Sequence, residues 1–216
     1  MKKVVKISIL TATVAVAMMF FGGCAKDNTP SLVSGGFNGR VTADVEAEDW
    51  NLSIIQQVVP WNEPGIQCNS AGSDCYLLGE QMGDPVSFNN DRFTINLPDP
   101  PSSNANMYDI KHVFENILNV SGTLKYSDPN VLVTDIDFLA HTGSSFVGYF
   151  LHMTSDKKTT CFYVYAESDV TVTGGSNVSV SLKEGWNRMY HTEGESGKYT
   201  TKTVNDLKWF FYDFGI

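Results

Sequence analysis

The stretch Val170-Thr-Val-Thr-Gly-Gly-Ser-Asn-Val-Ser-Val-Ser-Leu182 alternates apolar and hydroxyl side chains on both sides of a Gly-Gly-Ser-Asn link. A period of two is typical of a β-strand with one buried face, and a glycine-rich link of this length suits a tight turn. The stretch therefore predicts a β-hairpin. The next connection, Lys183-Glu-Gly185, leads straight into Trp186-Asn-Arg-Met-Tyr190, so we expect a third strand and a β-meander.

Further strand-like runs lie before and after this hairpin. They are rich in β-branched and aromatic residues and are separated by turn-forming residues. Strands are expected at residues 37–45, 52–59, 76–78, 92–97, 131–139, 146–153, 161–166 and 207–212.

One of these strands has an apolar side and an acidic side. Thr134, Ile136 and Phe138 alternate with Asp135 and Asp137, so the two sets point in opposite directions. An antiparallel strand commonly has one side in water, and we therefore expect both aspartates to be solvated.

One short helix is expected in residues 107–118, where apolar residues repeat at helical spacing. Before it, Pro98-Asp-Pro-Pro101 ends the preceding strand, because proline has no N–H to donate to a sheet. The fold class that fits best is all-β, a mainly antiparallel β-sandwich with this helix over one end. A closed, lipocalin-like β-barrel is the alternative. Residues 37–216 form the β-rich globular part, either as one domain or as two packed subdomains, 37–99 and 102–216.

The N-terminal segment has the pattern of an export signal. Lys2, Lys3 and Lys6 precede an apolar stretch, residues 7–21, that is shorter than the roughly 20 residues of a membrane-spanning helix. We therefore interpret residues 1–23 as a cleaved signal peptide. Residues 24–36 are polar and rich in turn formers, and are expected to be a flexible tether.

The end of this signal, Phe21-Gly-Gly-Cys24, resembles the lipobox of bacterial lipoproteins. The resemblance implies cleavage between Gly23 and Cys24 and acylation of the Cys24 thiol, palmitate included. At about 0.8 kcal/mol per buried methylene, two or more acyl chains hold a protein firmly to a membrane. Ala25 is not the aspartate that marks retention in the inner membrane. The expected location is therefore the outer membrane, on its periplasmic or its cell-surface face.

The chain is acidic, with 24 Asp and Glu against 15 Lys and Arg and a net charge of −9. Loss of residues 1–23 removes three lysines and no acid, which brings the net charge to −12. Nucleic-acid binding needs clustered basic residues that displace counterions from phosphates. We therefore expect no nucleic-acid partner.

Three cysteines remain once Cys24 is assigned to the lipid. Cys68 and Cys75 flank a turn-rich insert in a chain expected to be exported, and we expect them to form a disulfide. Cys161 opens an apolar run, where a buried thiol that packs as a small hydrophobic group is expected.

Catalytic patterns are missing from the sequence. The pair Asp135 and Asp137 has a spacing that could suit glycoside chemistry, but a solvated strand face argues against this role. The histidines are far apart and have no metal-ligand spacing: His112, His141, His152 and His191. We expect no enzyme activity, no metal and no cofactor.

Three aromatic residues are candidates for ligand contact. Trp50 and Trp61 lie in the less regular N-terminal part, where a tryptophan in a loop could stack on a sugar ring, and Tyr126 has a similar setting. The alternative is that these rings close the ends of the β core, because burying an aromatic ring contributes more than a single hydrogen bond.

Together with the lipobox, four segments are similar to a group of small uncharacterised lipoproteins of Bacteroides-type bacteria: residues 92–98, 163–174, 182–187 and 207–212. The resemblance implies an extracytoplasmic, β-rich lipoprotein and carries no catalytic residue. We therefore expect a lipid-anchored cell-envelope protein with a non-catalytic interaction or structural role, whose partner is an envelope protein. Glycan binding at the cell surface is the alternative.

Overall fold

A computed structural model describes residues 37, 39–46, 52–68, 75–97, 107–143, 145–175, 177–194 and 197–213, with the backbone alone described for 63–68 and 75–79. The signal peptide, Cys24, the tether and Trp50 lie outside the described residues. No helix in the described part of the chain is both long enough and apolar enough to cross a bilayer.

The described residues are mostly β-strand. The strands are β1 (Arg40–Glu46), β2 (Gln57–Cys68), β3 (Cys75–Gln81), β4 (Val86–Ser87), β5 (Arg92–Asn96), β6 (Tyr108–Asp109), β7 (Leu124–Tyr126), β8 (Leu132–Thr142), β9 (Ser145–Thr154), β10 (Thr159–Ala166), β11 (Val170–Gly174), β12 (Val178–Leu182), β13 (Gly185–Thr192), β14 (Lys198–Thr200) and β15 (Leu207–Asp213). A 3-10 turn, Leu52–Ile54, precedes β2. The helix, α1, is α-helical over Ile110–His112 and π-helical over Val113–Ile117.

The strands belong to one large mixed sheet with the order β5-β1-β15-β9-β8-β10-β13-β14-β12-β11-β7, and β2 pairs with β8, β3 and β4. Most pairs are antiparallel, but β1–β15 and β12–β14 are parallel. β5 and β7 stand at the two ends of this order and do not pair with each other in the described part of the chain. The sheet is thus not closed, so the all-β, sandwich-like prediction is confirmed and the barrel alternative is wrong.

Two hydrophobic cores lie on opposite sides of the central strands. On one side, β1 and β5 pack with Phe138 and Trp209. On the other side, α1, β11 and β12 pack with Phe162 and Met189. The outer strands therefore fold back over both faces of the central sheet, which gives the layered arrangement of a sandwich.

The predicted hairpin of β11 and β12 is confirmed, with Val172 opposite Val180. The predicted meander is wrong, because β14 lies between β12 and β13, and β13 pairs with β10 along its whole length. The reason lies in β13 itself, where Trp186 and Met189, on opposite faces, are both buried. A strand buried on both faces belongs in the middle of the sheet, whereas β12 has one exposed face.

The prediction that Asp135 and Asp137 are solvated is also wrong. Their exposed fractions are 8% and 3%. On the opposite face of β8, Ile136 and Phe138 lie in the first core, as expected. The aspartates are nevertheless covered, because the rest of the chain packs against the second face of β8 as well.

The segments before and after residue 100 share one core. β1 pairs with β15, and β2 pairs with β8. Phe93 packs within 5.1 Å of both Phe150 and Trp209, measured between ring centroids. Strand pairing and ring packing thus join the two segments.

Candidate ligand-binding site

A slot opens between α1 and the sheet face that β8, β10, β12 and β13 present to it. Its walls are almost wholly apolar. The lining residues are Tyr108, Ile110, Val113, Phe114, Ile117, Leu118, Val133, Thr134, Asp135, Phe162, Val164, Leu182 and Met189.

The N-terminal end of α1 is fixed by two hydrogen bonds. Asp109 is the N-cap, and its carboxylate accepts a bond of 2.7 Å from the His112 N–H. The Ile110 N–H donates to the Val131 carbonyl at 2.9 Å. Caps of this kind satisfy N–H groups that the helix leaves open, so the first turn has a defined place on the sheet.

One face of α1 is anchored in the second core. Ile110 and Phe114, four residues apart and hence on the same side of the helix, are each 1% exposed. Further along, the Leu118 N–H donates to the Val113 carbonyl at 2.8 Å, which closes the π-helical turn. The anchored side of α1 therefore forms the roof of the slot.

The slot is narrow. Its unfilled space is about 500 Å³ when the open mouth is included, but the centre of a water molecule can reach only about 30 Å³ of it. A cavity holds one water when the centre of a water molecule can reach about 10–15 Å³ of it. This room holds two or three groups of the size of a water molecule or a methylene, so it admits a short apolar segment and is too small for a sugar ring.

Asp135 is the one charged residue among the described residues that line the slot. It lies on β8 opposite Val164 of β10. Placing a carboxylate in apolar surroundings costs several kcal/mol unless hydrogen bonds or an opposite charge compensate it. Asp135 has interaction partners within the fold that supply this compensation, and the surface of the slot stays almost wholly apolar.

The face of β8 that carries Asp135 continues towards β2, β9 and β15. Asp137 lies opposite Trp61, and Tyr149 lies opposite Tyr212. The two tyrosine rings are stacked, with 5.7 Å between centroids and 18° between planes. Burial, together with the charge of Asp137 and the neighbouring Tyr212, raises the pKa of Tyr149 to about 12.

The predicted contact residues do not meet in the slot. Trp61 is in β2, not in a loop, and is partly exposed. The Tyr126 hydroxyl donates to Glu115 Oε1 at 3.3 Å and so connects β7 to α1. Burial and the Glu115 carboxylate raise the pKa of Tyr126 to about 12. Neither residue is among those that line the slot.

The structure confirms the prediction for Cys161 and leaves the Cys68–Cys75 disulfide untested. Cys68 and Cys75 lie directly opposite each other in the β2–β3 ladder. Their side chains are not described, so the disulfide stays a prediction. Cys161 is a buried thiol, as predicted, and its Sγ lies 3.8 Å from the Phe162 carbonyl oxygen.

Metal-ligating side chains do not converge in the described residues. No group of three His, Cys, Asp or Glu side chains there could hold a metal ion. The histidines lie apart: His152 packs against Trp209, and His191 stacks on Tyr199 at 4.6 Å.

Sequence reasoning found α1 but missed the slot. The helical spacing selected Met107, Ile110, Val113, Phe114, Ile117 and Leu118, and all but Met107 line it. The sequence gives no sign of the gap, because an apolar stripe that fills a core looks the same as one that borders a cavity.

Comparison of the chain with family models, with curated proteins and with solved structures gave no match.

Proposed function

We propose that this chain is a lipid-anchored binding protein of the bacterial cell envelope, without catalytic activity, that takes a hydrocarbon chain into the slot under α1. The single observation that carries the proposal is a narrow, open and almost wholly apolar slot between a capped helix and a sheet. The anchor is Cys24 and the proposed location is the outer membrane, as the lipobox resemblance implies.

Physical chemistry favours a chain-like ligand. Each methylene removed from water contributes about 0.8 kcal/mol. The two or three methylenes that the slot can hold would therefore contribute about 2 kcal/mol, which makes weak binding of the end of a chain the expected result. Among the described residues that line the slot, ten are apolar and only Tyr108, Thr134 and Asp135 carry polar side-chain atoms, which supports a role in binding apolar groups.

The ligand proposal is tested by calorimetric titration with decanol, a neutral chain. The protein is the chain from residue 25 onward, which keeps every described residue. Val113 lines the slot, so Val113→Trp should fill it and weaken binding at least tenfold. Asn116 is exposed on α1 and serves as the matched control, so Asn116→Trp should bind as the wild type does. The proposal is wrong if decanol does not bind, or if it binds equally to both variants.

The anchor is tested separately in cells. The wild-type protein should incorporate a labelled palmitate analogue and sediment with membranes. Cys24→Ala should do neither. Labelling of the Cys24→Ala protein at the wild-type level would contradict the proposed lipid site.

Glycan binding is the second candidate. The partly exposed position of Trp61 supports it, because an accessible indole face can stack on a sugar ring. The test is a thermal-shift screen against glycans. Any ligand found should lose binding to Trp61→Ala, while the melting temperature of this variant without ligand stays near the wild-type value. Normal binding by a folded Trp61→Ala would exclude this site.

A further inference from the structure

We infer that the outer edge of β3 binds an extended, lysine- or arginine-rich segment of a partner protein, which adds a strand to the sheet. This surface is separate from the slot, so the inference goes beyond the proposed function. β3 pairs with β2 and with no other strand in the described part of the chain. The basis of the inference is this strand edge together with the charge of the sequence around it.

β2 and β3 extend as a two-stranded arm beyond the main sheet. β8 pairs with β2 up to Trp61, which lies opposite Asp137, and at Ile136 β8 pairs with β10 instead. Beyond Trp61, residues 62–68 of β2 therefore have β3 as their one partner strand among the described residues. A ribbon of two strands is marginally stable in water, and a third strand stabilises it. The arm thus gains stability from a partner that pairs with its edge.

The edge of β3 lacks the features that protect other sheet edges. Edge strands are commonly kept from pairing with other chains by charged residues, by proline or by being short. At the two ends of the sheet order, β7 has three residues with Lys125 at its centre, and β5 begins with Arg92. By contrast, residues 75–79, Cys-Tyr-Leu-Leu-Gly, carry no charge and include no proline. An edge of this kind suits an extended peptide that binds through backbone hydrogen bonds.

The distribution of charge indicates the chemistry of the partner. Residues 41–91 contain nine Asp and Glu and no Lys or Arg, whereas the rest of the chain has 15 of each kind. Glu80 in β3 and Asp84 just after it are exposed, and neither forms an ion pair with a described residue. Like charges would repel a second copy of the arm, and opposite charges favour a basic segment. The edge is therefore suited to a strand that carries lysine or arginine.

The experiment measures the binding of fluorescent peptides to the chain from residue 25 onward by anisotropy. The probe is a short peptide that alternates lysine and valine. One matched peptide alternates lysine and proline, which keeps the charge but removes alternate N–H groups and does not fit a β-ladder. The other alternates glutamate and valine, which keeps the strand pattern and reverses the charge. The Lys-Val peptide should bind, and each matched peptide should bind about tenfold more weakly or less.

Two further measurements locate the site. Binding of the Lys-Val peptide should slow hydrogen exchange at the backbone amides of residues 75–81. Glu80→Lys combined with Asp84→Lys should weaken the binding about tenfold. Glu167→Lys combined with Glu193→Lys is the matched control, because it changes the net charge equally at exposed positions outside the arm. The control should bind the peptide as the wild type does.

Each outcome decides a part of the inference. Equal affinities for the Lys-Val and Lys-Pro peptides would show attraction by charge alone and overturn the strand pairing. Equal affinities for the Lys-Val and Glu-Val peptides would overturn the basic partner. No binding of the Lys-Val peptide, or protection that falls outside β3, overturns the whole inference. If the Glu80→Lys, Asp84→Lys variant does not fold, the peptides and the exchange data on the wild type decide. None of these measurements involves decanol, so the slot and the edge are tested separately.

Discussion

The ring of Phe93 in β5 meets the indole of Trp209 in β15 edge-on, with 5.1 Å between the ring centroids and 75° between the ring planes. Phe93 is 2% exposed and belongs to the first core, together with Phe138 and Phe150. This contact joins the N-terminal strands to the last strand of the chain, and it makes the stability of the two segments interdependent.

Phe93→Ala should therefore destabilise the whole domain. Loss of a buried phenylalanine costs about 3–5 kcal/mol, from lost burial and the cavity that remains. Urea unfolding followed by tryptophan fluorescence and by circular dichroism should give one shared, shifted transition. Ile54→Ala is the control, because Ile54 is 46% exposed and its loss should change the free energy of unfolding by less than about 0.5 kcal/mol. Separate transitions in the two signals would contradict the coupling.

Gly148 is a position where only glycine fits. A Cβ atom there would collide with the Tyr212 carbonyl oxygen and come within 2.6 Å of the Phe211 ring. Because both neighbours belong to β15, Gly148→Ala should force β9 and β15 apart and cost about 1–3 kcal/mol or more. Gly194→Ala is the matched control, since a Cβ at Gly194 meets nothing within 4 Å. Equal urea midpoints for the two variants would refute this account.

Tyr149 should titrate with a pKa of about 12, against an ordinary value of 10.0. In the unfolded chain Tyr149 loses its proton at a lower pH than in the folded protein. The free energy of unfolding should therefore fall as the pH rises from about 10 to 12. Asp137→Asn should lower the pKa of Tyr149, because the Asp137 charge is one of its causes. Ring-carbon chemical shifts measured by NMR would follow Tyr149 directly. The pKa of Tyr126 should stay unchanged in this variant, and an unchanged pKa for Tyr149 as well would argue against the effect.

His191 should make the protein less stable in mild acid. Burial lowers its pKa from 6.5, so the unfolded state takes up the proton at a higher pH than the folded state does. Stability should then fall as the pH drops below about 6.5. His191→Phe keeps a ring on Tyr199 and removes the titration, so its urea midpoint should fall less between pH 7 and pH 5. The dependence of the urea midpoint on pH should weaken without vanishing, because burial lowers the pKa of His141 too. If the urea midpoint of His191→Phe falls as much as that of the wild type between pH 7 and pH 5, His191 does not cause the loss of stability in acid.

The expected Cys68–Cys75 disulfide has a direct test. Directly opposite residues of an antiparallel pair have Cα atoms about 4.5–5.5 Å apart, which fits disulfide geometry. For so short a loop, reduction should lower the free energy of unfolding by about 2.5 kcal/mol. A reducing agent should have this effect on the wild type and no effect on a Cys68→Ser, Cys75→Ser double variant. Free thiols at both positions in the unreduced protein would disprove the bond.

Local sequence pattern predicted the helix and most of the longer strands, but it placed a strand at residues 52–59, where a 3-10 turn precedes β2, and it missed the extension of β2 to Cys68. Alternation in β11 and β12 is a property of neighbouring residues, and it survives in the fold with Val172 and Val180 buried and Ser179 exposed. The same holds for α1, whose apolar spacing places Ile110 and Phe114 on the buried side.

Properties that depend on distant parts of the chain were not predictable in this way. The burial of Asp135 depends on what covers the second face of β8, and the neighbours of β13 depend on β14, a short strand of residues 198–200. The slot arises for the same reason, because it is the space left between α1 and four strands that meet only in the finished fold.

The parallel pairing of β1 with β15, in which Val45 lies opposite Trp209, also sets an order of events in folding. The N-terminal end of the chain emerges first, so β1 must wait for β15 until residues 207–213 have emerged as well. Contacts between such distant residues are characteristic of slowly folding topologies. Until then, one edge of β1 is open to other chains, which is a known route to aggregation. Loss of only the last strand would leave β1 in this state permanently, so the domain should tolerate C-terminal truncation poorly.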